Sequence, residues 1–63
     1  MYVIFDKDAR EYFCGMSADG RFAEFDGLKL ARKYSTQTQA METLSYRTRT
    51  GHFSGDLRVV KIK

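Results

Sequence analysis

The chain has 63 residues, a net charge of +3, one cysteine, one histidine and no proline. At this length a single domain is the limit, because only about 60% of the unfolded surface is buried on folding. A lone cysteine excludes an internal disulfide and any multi-cysteine zinc site. With 43% hydrophobic residues, five phenylalanines and four tyrosines, the sequence lies above the disordered class and suits a small packed core. No apolar run reaches the length of about 18 residues needed to span a membrane, and the N-terminus does not read as a signal peptide, so a soluble, cytoplasmic protein is expected.

The opening YVIF, Tyr2 to Phe5, is β-branched and aromatic, and the polar DKDAR after it suits a turn. EYFCGM resumes the strand pattern at Glu11, so the two segments predict a β-hairpin. SADG, Ser17 to Gly20, ends in an Asp-Gly pair that takes positive φ readily, and RFAEF, Arg21 to Phe25, is a third short strand. From Asp26 the pattern changes. DGLKLARKY predicts one helical turn capped by Asp26, and Thr36 with Gln39 forms a capping box for a longer helix at about Gln37 to Thr48. Its inward stripe is expected to be Ala40, Met41 and Leu44, with Leu30, Ala31 and Tyr34 packing from the preceding turn. One continuous helix over residues 28–48 is the alternative. Gly51 is a natural helix stop, TGHFSGD a loop, and LRVVKIK, Leu57 to Lys63, the last strand.

The expected fold is therefore α+β: one domain, residues 1–63, with about four antiparallel strands in the order β-β-β-α-β and one main helix on one face. The first and last strands are the most apolar, which predicts central positions in the sheet. Alternation sends Val3 and Phe5 to one face and Tyr2 and Ile4 to the other. In the second strand it sends Tyr12, Cys14 and Met16 to one side and Phe13 to the other. One helix covers one face only. Either the second face is an interface with Tyr2, Ile4, Tyr12 and Met16 as apolar anchors, or residues 17–34 fold over it.

Charge is distributed unevenly. Residues 1–34 hold six basic and six acidic side chains, whereas residues 35–63 hold five basic against two acidic. Arg47, Arg49, His52, Phe53 and Lys61 are the candidate contacts for a protein partner or a phosphate, Tyr46 and Phe53 being available to stack on a base. Arginines at a helix C-terminus also have a structural explanation in the helix dipole. His52 has no nucleophile and orienting group at a recognisable spacing, Asp6-Lys7-Asp8 reads as a turn, and no phosphate-loop or metal motif is present, so neither enzyme activity, metal nor cofactor is expected. Cys14, within YFCGM, is expected to be an inert buried thiol.

With the hairpin YVIFDKDAREYFCGM, the stretch ARKYSTQTQAMETL and the terminal LRVVKIK, the chain resembles small phage or prophage accessory proteins. The resemblance implies a non-enzymatic protein that inhibits or modulates a host protein, a bacterial defence protein among them, or that sequesters a nucleotide signal as an oligomeric sponge. Partners are accordingly a host protein or further copies of the chain, as a homodimer or larger assembly. The basic patch adds a third possibility, a weak nucleic-acid-binding module.

Overall fold

A computed structural model describes residues 1–63. Strands β1 (Tyr2–Asp6), β2 (Glu11–Met16) and β3 (Ala23–Asp26) are followed by a 3-10 turn (Leu28–Leu30), helix α1 (Gln37–Arg49) and strand β4 (Leu57–Lys61). All neighbouring strands are antiparallel, in the order β3-β2-β1-β4, with α1 packed on one face. The α+β fold expected from the sequence is the fold observed. β1 is central as expected, but β4 is an edge strand, and β2 takes the other central place. Arg58 and Lys61 on β4 carry the charge that keeps an exposed edge from pairing with another chain.

The β1–β2 turn is organised by Asp6, whose carboxylate accepts from the backbone N–H of Asp8 at 3.0 Å and of Ala9 at 3.2 Å. At the tip of β2–β3, the Ser17 hydroxyl donates to Asp19 at 2.7 Å and, with the Arg21 N–H, holds that carboxyl below its usual range. These polar turns are read correctly from sequence.

Register corrects the predicted faces. Pairing of Ile4 with Val59 and of Phe13 with Phe25 places these four side chains on the helix side of the sheet. A bulge then shifts the β2–β3 register between Phe13 and Gly15, so Gly15 opposes Glu24 and Met16 opposes Ala23. The extra residue turns Met16 onto the side of Phe13, away from Tyr12 and Cys14. Gly15 carries the bulge at φ 145°, a backbone angle that favours glycine.

Beyond the bulge β1 and β2 splay apart, and the chain fills the gap. Arg32 donates its N–H to the Phe13 carbonyl at 2.9 Å, while Tyr34 and Tyr2 exchange both backbone hydrogen bonds at 2.8 Å. Residues 32–34 thus act as a short inserted strand between β1 and β2. The 3-10 turn before them lies on the face opposite the helix: Leu28 neighbours Ile62 and Met1, and Leu30 neighbours Cys14 and Asp26. Val3, directed to that face, is fully buried. Residues 27–31 therefore do fold over part of the second face. Asp26 does not cap this turn; its carboxylate accepts only from the Gly27 N–H at 2.7 Å.

The core lies between sheet and helix. Ile4, Phe13 and Phe53 form its buried centre, ringed by Met16, Ala23, Phe25, Tyr34, Leu44, Leu57 and Val59. Three phenylalanine rings pack mutually: Phe13–Phe53 at 4.9 Å, and Phe13–Phe25 and Phe25–Phe53 both at 5.9 Å. Such tilted and edge contacts add about 0.5–1.5 kcal/mol per pair beyond area burial.

Of the capping box expected at the start of α1, the Thr36 half is present and the reciprocal bond from Gln39 goes to Ser35 instead of the Thr36 N–H. Thr36 Oγ1 accepts from the Gln39 N–H at 3.2 Å, and the Gln39 side chain accepts from Ser35 at 2.9 Å. Thr36→Ala is expected to cost about 1 kcal/mol and to lower the melting temperature by about 4–8 °C, whereas Thr36→Ser should be close to neutral. Thermal circular dichroism of both variants checks this. The inward stripe is Ala40, Thr43, Leu44 and Arg47, at i, i+3, i+4 and i+7; Met41 is 47% exposed and lies on the flank. Leu30, also expected to pack inward, is 61% exposed on the second face.

Candidate functional site

The helix end fixes the candidate residues of the YRTRTGHFSGD stretch. Gly51, at φ 84°, follows the helix C-cap Thr50; its N–H donates to the Thr48 carbonyl at 3.2 Å, and the His52 N–H donates to the Arg47 carbonyl at 2.9 Å. This pair of bonds is the Schellman stop, in which the residues flanking the left-handed glycine satisfy orphan helix carbonyls. His52 takes the place of the hydrophobic residue that usually closes the motif, and its ring touches Arg47 instead. Nδ1 lies 3.4 Å from an Arg47 guanidinium nitrogen and 2.8 Å from the Thr50 hydroxyl. A guanidinium only donates, so a hydrogen bond from Arg47 forms in the tautomer whose ring proton sits on Nε2.

Arg47 and Arg49 are two positions apart and leave the helix about 200° around its axis from each other. Arg47 is half-buried over the sheet; Arg49 is exposed on the outer side, 5.9 Å from the Tyr46 ring centre. The Arg47 guanidinium is 5.1 Å from the same ring, close enough for both to be held by its π-face. Lys61 lies elsewhere. It pairs with Tyr2, which pairs with Tyr34, two residues before the helix cap. It is thus at the helix N-terminal end, most of a helix length of about 20 Å from Arg49. Arg47, Arg49 and Lys61 do not gather on one ligand within a single subunit.

Two further candidates are core residues. Phe53 is 5% exposed among Phe13 and Phe25, and cannot stack on a base without unfolding its surroundings. Ile4 is 0% exposed beneath the helix, and Met16 packs against the same cluster, so neither anchors an open sheet face. Tyr12 is half-buried on the second face, its ring 4.9 Å from Phe5; Tyr2 is half-buried beside the inserted strand.

Two surfaces are assembled that no single stretch of sequence displays. On the second face, Met1, Leu28 and Ile62 floor a depression of about 570 Å³ rimmed by Lys29, Lys33 and Lys63, with no acidic side chain in its lining. Leu28 is 41% exposed, and neighbouring Leu30 extends the apolar surface toward Cys14. On the helix side, Arg32 and Arg47 line a groove of about 380 Å³ with Phe13, Gly15, Met16, Tyr34 and Thr43. The one salt bridge of the molecule joins Arg58 to Asp56 at 3.3 Å, which leaves every one of these cations without a carboxylate partner. Arg32, Lys29 and Lys33 carried no sequence signal, because the crossing of residues 27–34 through the splayed sheet brings them into place.

Cys14 donates its thiol to the Tyr12 carbonyl at 3.3 Å, and burial, reinforced by the Asp26 and Glu24 carboxylates, pushes its pKa up. The thiolate is the reactive form, so raising the pKa lowers its fraction at a given pH. Alkylation by iodoacetamide is expected to be slower in the native chain than in urea, with a pH midpoint displaced upward. Equal rates in both states would contradict the assigned environment. No three histidine, cysteine, aspartate or glutamate side chains gather as a metal-binding group, and no helix is long and apolar enough to cross a membrane.

No protein-family model, curated protein or solved structure matches the chain at a significant level.

Proposed function

We propose that the chain is a non-catalytic binding protein that docks through the second face of its sheet onto an acidic segment of a protein partner. The supporting observation is the depression floored by Met1, Leu28 and Ile62 and rimmed by three lysines with no acid among them. An apolar anchor residue flanked by glutamates or aspartates has the complementary chemistry: the side chain displaces water from the floor while carboxylates meet the ammonium groups. The lysine stems add apolar wall around the anchor. Binding to a host protein, as the resemblance to phage accessory proteins implies, requires nothing further from this chain.

Charge also favours a foreign partner over a second copy. Two-fold association through this patch would bring the two sets of lysines together, since an isologous interface matches a surface with itself. Repulsion disfavours that dimer, so a monomer is expected by sedimentation at 100 micromolar.

A glutamate-rich peptide with one central leucine is the probe. In titrations followed by amide NMR shifts, it should perturb Leu28, Lys29, Lys33 and Ile62, with binding weakened by salt and by Leu28→Glu. A lysine-rich peptide with the same leucine should leave them unmoved. Shifts scattered over the surface, or equal shifts with both peptides, would refute the docking face.

A further inference from the structure

We propose that the groove between α1 and the β2 bulge is a binding site for a phosphomonoester, with Arg32 and Arg47 as its cationic clamp. The site is separate from the docking depression and does not depend on it: Arg47 belongs to the helix side of the sheet, whereas Leu28 and Ile62 belong to the other.

The groove is built from donors that lack acceptors. Arg32 enters on the inserted strand, anchored by its own N–H to the Phe13 carbonyl at 2.9 Å. Arg47 enters from the third turn of the helix and is held from behind by His52, which occupies one guanidinium nitrogen at 3.4 Å and leaves the rest of the fork free. Neither guanidinium is within ion-pair distance of a carboxylate; Glu42 lines the depression next door, beside Arg32, without pairing with it. Thr43 and Tyr34 complete the lining, and their hydroxyls make no hydrogen bond to another protein group. Two forked cations and two hydroxyls call for a ligand rich in acceptor oxygens, and a phosphate dianion accepts from several donors at once.

Gly15 sets the floor of the site beneath Arg32. A Cβ built there would lie 3.5 Å from an Arg32 guanidinium nitrogen, an ordinary contact distance, so the arginine lies directly against the bulge, where φ 145° rather than lack of space calls for glycine. The volume, about 380 Å³, sits near the lower end of the range for small-molecule sites. A small phosphorylated molecule fits such a groove, and Met16 and the Phe13 edge supply an apolar wall for the remainder of the ligand. His52 is a positioning residue: with its Nδ1 accepting, it orients Arg47 toward the groove.

Free phosphate and an organic phosphate share this chemistry, and titrations separate them. Inorganic phosphate, adenosine monophosphate, ribose 5-phosphate and uncharged adenosine are each titrated into the full chain, following amide shifts and the arginine side-chain Nε signals. The phosphate-bearing probes should move Gly15, Met16, Thr43 and the Nε signals of Arg32 and Arg47, and adenosine should not. Tighter binding of the esters than of inorganic phosphate would assign an organic ligand; equal binding would assign free phosphate. Arg32→Gln and Arg47→Gln should each weaken binding roughly tenfold or more, while Arg49→Gln on the outer helix face should leave it unchanged. Arg32 is exposed, so its variant tests the site even if the Arg47 variant folds poorly. Absence of shifts at these residues, adenosine shifting them as much as adenosine monophosphate, or an Arg49 variant as impaired as the Arg32 variant would overturn the proposal.

Discussion

Phe53→Ala is expected to remove about 3–5 kcal/mol of stability, the usual loss for a buried phenylalanine. A domain of this size has a total of on the order of 3–9 kcal/mol, so the variant should be largely unfolded or should melt in low urea. The reason is geometric. Phe53 follows the helix stop and reaches back into the core, where it contacts both Phe13 and Phe25, so its removal empties a site bounded by two elements that cannot both close on it. Phe53→Leu should lose much less, because most of the buried area returns. Phe22→Ala, at a side chain 66% exposed on the β2–β3 turn, should change stability by less than about 0.5 kcal/mol. Urea titrations followed by circular dichroism separate these outcomes. A Phe53→Ala chain as stable as the parent would place that ring outside the core and restore it as a surface contact.

The difference between the two phenylalanines shows where sequence reasoning stops. Both stand next to polar, glycine-containing stretches, yet local pattern places Phe22 in the third strand and Phe53 in a loop, the reverse of what their burial requires. What separates them is distance in three dimensions. Phe53 is brought inward because the Schellman stop reverses the chain at Gly51, while Phe22 follows a turn that ends at a sheet corner. Features set by neighbouring residues were legible: the Asp6 turn, the Thr36 cap, the Gly51 stop and all four strands. Features set by a register slip were not. One extra residue at Cys14 sends Met16 to the other face, and nothing in YFCGM distinguishes a bulged strand from a regular one except its glycine.

The same limit governs the candidate sites. Charge counting directed attention to residues 35–63, where the excess lies, but the folded chain divides that excess among different faces: Arg47 inward, Arg49 outward, Lys61 at the far end of the helix. Meanwhile the balanced half, residues 1–34, contributes Arg32 to the groove and Lys29 and Lys33 to the lysine rim. Their acidic counterparts, Asp6, Asp19 and Asp26, are bound to backbone N–H groups in turns. Net charge over a segment therefore predicts little about which cations remain free. The partner of each acid decides, and here the partners are mostly peptide groups.

Ala40→Leu is expected to destabilise the chain by about 1–3 kcal/mol, with the larger value applying if the helix cannot shift. Ala40 is 0% exposed where α1 crosses β4 and β1, and its small side chain lets the helix approach the sheet closely. Met41→Ala, one residue on, should cost less than about 0.5 kcal/mol, because that side chain is 47% exposed. The reverse result, a neutral Ala40→Leu and a costly Met41→Ala, would mean that the helix is rotated about its axis relative to the stripe Ala40, Thr43, Leu44 and Arg47. The consequence extends to binding. Arg47 lies seven residues beyond Ala40 on the same stripe, so lifting the helix draws its guanidinium away from Arg32, which is fixed to the sheet through the Phe13 carbonyl. Phosphate affinity should therefore fall in Ala40→Leu along with stability, even at temperatures where the variant is fully folded. Docking of the acidic peptide beside Leu28, on the other face of the sheet, should persist. Loss of both together would show that the two faces are coupled through the sheet and that the helix position alone does not account for the effect.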